Sequence, residues 1–284
     1  MEDHNGFGES TYPIDPNAPE EAARLIWQGA LLTRLMGGTF PANRDLSQVE
    51  TILNIGSGPG AWDLQFGYEH PNIEVYGIDI NSSMVEYASN QAQLQHLDNV
   101  HFEVMDAKQL SFPPLSFDLI NIRLLVAALR PYDYPAFLAR CFQLLRPGGT
   151  IRWTECDMGS TNSPAYEKYI RLFARGMFNA GRSPSVDGYT MNILPVMSQF
   201  VHNAGFEKIE MDAIPIDGRA GTDVQQRGKK DIQYLFELLK PFMISTKVTT
   251  QAEIEALYND VLLQMEQDTF TSLTFVLTVW ATKI

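Results

Sequence analysis

LNIGSGPGAWDL, Leu53 to Leu64, runs a short apolar segment into three alternating glycines and then into a helix-like stretch. Gly56, Gly58 and Gly60 let the chain turn sharply and let a ligand approach the backbone without a Cβ in the way. In a sheet built of βαβ units this bend lies at the carboxyl end of the first strand, where such sheets hold their ligands. With Ala61 as its last member the stretch also fits the G-x-G-x-x-G/A dinucleotide fingerprint. Two neighbours weigh against that. Pro59 takes an N–H out of the turn that would cradle a pyrophosphate, and Trp62 puts a bulky ring at the head of the next helix.

The flanking pattern decides the fold class. TILNIG (51–56), IEVYGIDI (73–80), VHFEVMDA (100–107), FDLINIRL (117–124) and GGTIRWTEC (148–156) are short apolar strands. Helical stretches at 61–69, 82–95 and 134–145 separate them, and Asn81 or Ser82 is the expected cap of the second. Strands spaced by such helices imply crossovers and a parallel sheet covered on both faces. Upstream, residues 1–16 read as an extended arm. A helix over 17–38 follows, with Asn17 and Glu20 as a capping box and Gly37-Gly38 at its end. After residue 157 the rhythm breaks into helices at 163–181 and 190–205, a sixth strand at 206–216, helices near 227–244 and 250–268, and a seventh strand from 272. The expectation is one domain over 1–284, with a cap helix in 1–40, a ligand-binding core in 50–157 and lid elements in 158–204 and 219–268.

Charge narrows the partners. Lys and Arg total 21 against 34 Asp and Glu, a formal net charge of −13, which repels polyphosphate backbones and argues against a nucleic-acid binder. The basic cluster Arg219, Arg227, Lys229 and Lys230 is too small to reverse that sign. Two cysteines, Cys141 and Cys156, make no disulfide framework and suit a reducing interior. The opening MEDHNGFGES lacks a signal-peptide profile and no apolar run reaches membrane-spanning length, so a cytoplasmic protein without membrane partners is expected. The five histidines show no metal-ligand spacing, so no metal site is expected.

LNIGSGPGAW, GIDI, VMDA, FDLINIR and LLRPGG, in this order, resemble the class I S-adenosylmethionine-dependent methyltransferases. The resemblance implies a Rossmann-like α/β fold whose seven-stranded sheet has the order 3-2-1-4-5-7-6, with the last strand antiparallel, helices on both faces and an inserted helical lid. Tyr12-Pro13, RLIWQ and IRLL are similar to the small-molecule, secondary-metabolism members of LaeA/UMTA-like type. NIRL stands where members that methylate DNA bases carry an (Asp/Asn)-Pro-Pro-(Tyr/Phe) motif.

Carried over residue by residue, the resemblance assigns the S-adenosylmethionine cofactor to the turn Gly56, Gly58, Gly60 and Trp62. Asp79, at the end of the second strand, would accept the ribose hydroxyls; its alternative is a helix-capping carboxylate. Ile80 would pack on the adenine, with Met84 closing that side. Asp106 would accept from the adenine amino group and the Ala107 N–H would donate to the ring, unless Asp106 is a turn residue. Asn121 and Arg123 would face the methionine portion. Arg123 would pair with a ligand carboxylate or with an acidic neighbour inside the protein. Asn54 departs from the pattern, since many relatives are acidic there. Tyr12 and the helix bearing Arg24 and Gln28 would close over the cofactor, or merely cover the sheet.

Methyl transfer from a sulfonium is an in-line displacement that needs positioning and exclusion of water. Glu155 and Asp157, just past the fifth strand, are the candidate bases. Tyr166, Tyr169, Phe173, Met177 and Phe178 are spaced as a helical stripe, either core or substrate wall. The expected function is therefore methyl transfer to a small-molecule acceptor. The alternative is a protein that keeps the cofactor for structure, regulation or a non-methylating reaction, and behind both stands a nicotinamide-dependent oxidoreductase. Nothing in the sequence indicates the acceptor atom or the oligomeric state.

Overall fold

The structure, a computed structural model, describes residues 12–15 and 18–284, the side chain of Pro19 excepted. Five parallel strands build the expected half of the sheet: β1 (Thr51–Ile55), β2 (Glu74–Asp79), β3 (Val100–Val104), β4 (Phe117–Arg123) and β5 (Leu145–Cys156). They lie in the order β3-β2-β1-β4-β5, and β8 (Ser272–Thr282) follows antiparallel to β5. The far side of β8 carries β7 (Glu207–Asp217), also antiparallel. A two-residue strand, β6 (Ser160–Thr161), pairs with the start of β8. Apart from this short addition the order is the expected one, with β7 and β8 standing as the sixth and seventh strands. β5 begins three residues earlier than the breaker RPGG suggests, and a register shift between Phe117 and Leu119 accommodates the extra length.

Side-chain alternation assigns the two faces of the sheet. Leu53 and Ile55 of β1 join the core beneath α4 (Tyr134–Leu144), whereas Ile52 joins the one beneath α2 (Ala61–Glu69), which α3 (Ser82–Leu94) extends. Asn81 caps α3, accepting from the N–H groups of Ser83 and Met84. The N-cap of α1 (Pro19–Leu35) is Ala18, which makes no side-chain bond; Asn17, the expected cap, lies outside the described residues.

Past the sheet, α5 (Pro164–Asn179), α7 (Asp223–Ser245) and α8 (Gln251–Met265) share a second core. Tyr169, Phe173 and Met177 of the aromatic stripe are buried in it against Phe236, Met243 and Val261. The segment expected as lid over 190–205 behaves otherwise. Its helix α6 (Met197–Asn203) puts Met197 and Val201 into the α4 core, and Phe200 stacks on Tyr134 with ring centroids 5.2 Å apart. These apolar residues thus complete the sheet layer, leaving α1, α5 and α7 to roof the strand ends. Among the described residues no helix is long and apolar enough to cross a membrane, and no His, Cys, Asp and Glu cluster is set up for a metal.

Candidate active site

A cavity of about 340 Å³ opens at the carboxyl ends of β1, β2 and β4 beneath α1, α5 and α7. The glycine turn forms its floor, with φ of +76° at Gly56, +53° at Gly58 and +76° at Gly60, although Gly60 itself does not reach the wall. How the turn spends its donors is decisive. Gly56 and Ser57 both give their N–H to the Ile78 carbonyl, Gly58 gives its own to Asp79 Oδ2 at 2.8 Å, and Gly60 donates to Ser57. Pro59 has none. The bend therefore keeps no N–H for a pyrophosphate, leaving only the first turn of α2 beyond it. Ser57 Oγ, buried in the cavity wall, has no partner among the described residues.

Asp79 sits in the recess with Oδ2 on Gly58 and Oδ1 on the Asn81 N–H at 2.9 Å. Burial raises its pKa, and the N–H groups of Asn81, Gly58 and Ile80 work against that rise. Ile80, Met84 and Met105 line an apolar slot beside it. Asp106 is buried at the far end, where Oδ1 caps the short turn Ala107–Gln109 by accepting the Lys108 N–H at 2.8 Å. Ala107 also lines the cavity.

Behind the turn runs a buried amide chain. Asn121 Nδ2 donates to Asn54 Oδ1 at 2.8 Å, and Asn54 Nδ2 donates to Asp63 Oδ2 at the same distance. Asn54 reaches the cavity wall, whereas Asn121, completely buried, only braces it. Burial pushes the Asp63 carboxyl up to about 7. Arg123 faces the cavity, donating to Thr33 Oγ1 and to the Gly29 carbonyl of α1. Burial lowers its pKa to about 10, and it makes no ion pair among the described residues. Trp62 touches the cavity edge, but its indole N–H is committed to the Thr39 carbonyl and its ring stacks on Phe66 at 4.9 Å.

The two carboxylates expected as bases are not on the cavity wall. Strand parity explains this: Cys156 and, past the strand end, Met158 line the cavity, so Glu155 and Asp157, one residue out of step, do not. Glu155 is fully buried, and its Oε1 accepts from the Leu125 N–H and from Trp153 Nε1, each at 2.9 Å. It anchors the loop after β4, which leaves the strand through Leu124 at φ +56°, an uncommon conformation for a non-glycine residue. Burial pushes Glu155 up to about 7 and the Cys156 thiol to about 12. Asp157 uses Oδ1 on the Met158 N–H.

Opposite the turn, α1 and α7 meet in a buried ion cluster. Arg24 donates through Nε to Glu21 Oε2 at 2.7 Å and through Nη2 to Oε1 at 2.8 Å. Its Nη1 reaches Asp231 of α7 at 3.3 Å, and the Tyr12 hydroxyl donates to Glu21 Oε1 at 2.6 Å. Burial opposes the charge on Arg24, but the Glu21 bonds together with the fields of Asp231, Tyr12 and Glu21 outweigh it and raise the pKa. Tyr12, Glu21, Arg24 and Gln28 all line the cavity.

A family model described as a methyltransferase domain matches residues 52–149, the span that carries the turn, Asp79, Asp106 and Arg123. This span therefore resembles a methyltransferase domain. Among curated relatives, the chain is 28% identical over 208 residues to methyltransferase pytC of Aspergillus terreus, covering 72% of the chain and 60% of the relative. It is 27% identical to methyltransferase str3 of Strobilurus tenacellus, covering 60% of each. The chain thus spans about 60% of the length of these relatives. Phosphoethanolamine N-methyltransferase 2 of Haemonchus contortus, solved with phosphomonomethylethanolamine and S-adenosylhomocysteine, shares the fold. Its TM-score is 0.54 at 18% identity, over 93% of this chain and 56% of that one.

Several residues of the site had no sequence signal. Ser57, Glu21, Leu235 and Leu239 line the cavity, and Asp63 lies behind its wall on Asn54. Each is revealed only by which face its helix or turn presents.

Proposed function

We propose that this protein transfers a methyl group from S-adenosylmethionine to a small-molecule acceptor. The observation that carries the cofactor assignment is the turn that has spent its own N–H groups beside a recessed carboxylate. Such a site suits a nucleoside held through its ribose hydroxyls and disfavours the pyrophosphate of a dinucleotide. S-Adenosylmethionine, when bound, supplies an electrophilic methyl on a sulfonium.

The chain's own residues then bind, orient and exclude water. Asp79, whose carboxylate accepts the N–H groups of Asn81, Gly58 and Ile80, keeps a remaining lone pair for a ribose hydroxyl. Ile80, Met84 and Met105 hold a flat ring between them, with Asp106 and the Ala107 N–H at its polar edge. Arg123, in no ion pair among the described residues, attracts a carboxylate at the amino-acid end, with Asn54 and the Ser57 hydroxyl beside it. The roof of α1, α5 and α7 keeps the site dry. On this view residues 1–284 act as one methyltransferase domain of the small-molecule type, to which the fungal relatives also point.

Calorimetry with S-adenosylmethionine, S-adenosylhomocysteine and NAD on wild type and Asp79→Ala tests the assignment. Binding of the two adenosyl ligands that is lost in the variant is the expected result. Binding of NAD alone would overturn it. Adenosyl binding with no turnover against a broad acceptor panel would assign the site to a non-methylating use of the cofactor.

A further inference from the structure

The acceptor end of the cavity is apolar, lined by Met158, Tyr169, Phe173, Leu235 and Leu239. Among the described residues the cation on this wall is Arg24, and it is already committed. Glu21 grips it through two oxygens and Asp231 through a third, so one positive charge meets two carboxylates. Arg123 and Lys108 lie toward the turn and the adenine slot, and Lys108 stands 3.8 Å from Asp106. An anionic acceptor entering here finds no uncommitted counter-charge and must leave its hydration behind.

A second, independent feature specifies what would be welcome. Tyr169 is 1% exposed, lines the cavity, and its hydroxyl has no hydrogen-bond partner among the described residues. Its ring is fixed by stacking on Phe236 with centroids 4.1 Å apart, so the hydroxyl is held in place in the largely apolar wall near the Arg24 cluster. A buried hydroxyl left unpaired is costly, and a ligand oxygen would satisfy it. Resting on the methyltransferase assignment above, we infer that the acceptor is an uncharged, largely apolar molecule whose hydroxyl or carbonyl pairs with Tyr169, and that phosphate- or carboxylate-bearing acceptors are refused.

The test uses the full chain saturated with S-adenosylhomocysteine and two probes, 2-naphthol and 2-naphthyl phosphate, titrated by calorimetry. The naphthol is expected to bind at least about tenfold tighter than its phosphate. Tyr169→Phe should weaken the naphthol by about three- to tenfold while leaving S-adenosylhomocysteine binding unchanged, the worth of one hydrogen bond. Asp231→Asn, which leaves Arg24 with a single carboxylate, should narrow the gap between the probes. The inference falls if the phosphate binds as tightly as the naphthol, if Tyr169→Phe changes nothing, if the gap is unmoved in Asp231→Asn, or if the naphthol does not bind. Failure of S-adenosylhomocysteine itself to bind wild type would instead sink the underlying assignment, so the two failures are separate.

Discussion

Asn54 donates its amide N–H to Asp63 Oδ2 across 2.8 Å, which places a carboxylate one side chain behind the wall of the cavity. Asp63 is fully buried, and burial pushes its carboxyl up to about 7. In the unfolded chain the same group titrates near its ordinary value of about 3.9. As pH rises from about 4 to 7 the unfolded chain gives up the proton first, so native stability falls across that window, by roughly 1.4 kcal/mol per pH unit for one such group. Glu155, also pushed to about 7, adds to the same slope. Urea unfolding at pH 5, 6 and 7 should show wild type losing stability with rising pH, Asp63→Asn losing less, and Asp63→Asn/Glu155→Gln losing least, with buried Asp79 and Asp231, also raised, holding the remaining slope. A slope unchanged in both variants would mean these carboxyls titrate normally in the native state.

Glu155 offers a sharper prediction, because a proton acceptor and a loop anchor respond differently to the same substitutions. Glu155→Gln keeps an oxygen for the Leu125 N–H and Trp153 Nε1, so turnover should stay within a fewfold of wild type. Glu155→Ala orphans both buried donors, at roughly 1–3 kcal/mol each, and loosens the cavity wall at Leu125. It should lower the melting temperature and weaken S-adenosylhomocysteine binding together. Abolished turnover in Glu155→Gln, with binding and melting unchanged, would restore the role of base.

That contrast marks where the sequence was legible. The βαβ alternation and the turn glycines read cleanly because hydrophobic period and backbone sterics are local properties. Asp79 was legible for the same reason, since a carboxylate ending the second strand has few places to go. That Glu155 and Asp157 lie off the cavity wall was not legible, because proximity in sequence says nothing about parity: whether residue 155 or 156 faces the cavity depends on where the pairing of β5 with β4 and β8 begins. The helix over 197–203 looked like lid for a related reason. Its apolar face is plain in the sequence, but which core claims that face is a tertiary matter. Arg24 was picked out for its place on the α1 face, yet its partner Asp231 lies 207 residues away, and no local pattern announces such a pair.

The Glu21–Arg24 pair, with side chains 0% and 4% exposed, predicts a strong asymmetry between single and double replacements. Arg24→Met strands a buried carboxylate that Tyr12 alone then bonds, and should cost about 3–5 kcal/mol. Glu21→Leu/Arg24→Met removes both charges and should recover most of that loss, since well-packed apolar groups often match a buried ion pair. Urea unfolding of the two variants measures the difference. Equal losses in both would show that packing of the α1 face, rather than charge pairing, holds this junction together.

Gly58 and Gly60 share a left-handed backbone but not the same surroundings, and alanine separates them. At Gly58, φ +53°, a Cβ would meet only Leu25 Cδ1, at 3.8 Å. Gly58→Ala should therefore cost just the left-handed penalty of about 1–2 kcal/mol. At Gly60, φ +76°, the new Cβ would stand 2.7 Å from Phe102 Cζ and 2.9 Å from Ala88 Cβ. Phe102 packs against the core under α2, and Ala88 has no rotamer to yield, so relief requires moving the α2–α3 junction. Gly60→Ala should add about 1–3 kcal/mol of overpacking to the backbone penalty. Gly58 also lines the cavity, so its variant should fold nearly as well as wild type yet bind S-adenosylhomocysteine more weakly. Paired urea unfolding and calorimetry decide the matter: if Gly58→Ala proves the less stable of the two, the turn packs differently from the arrangement described here.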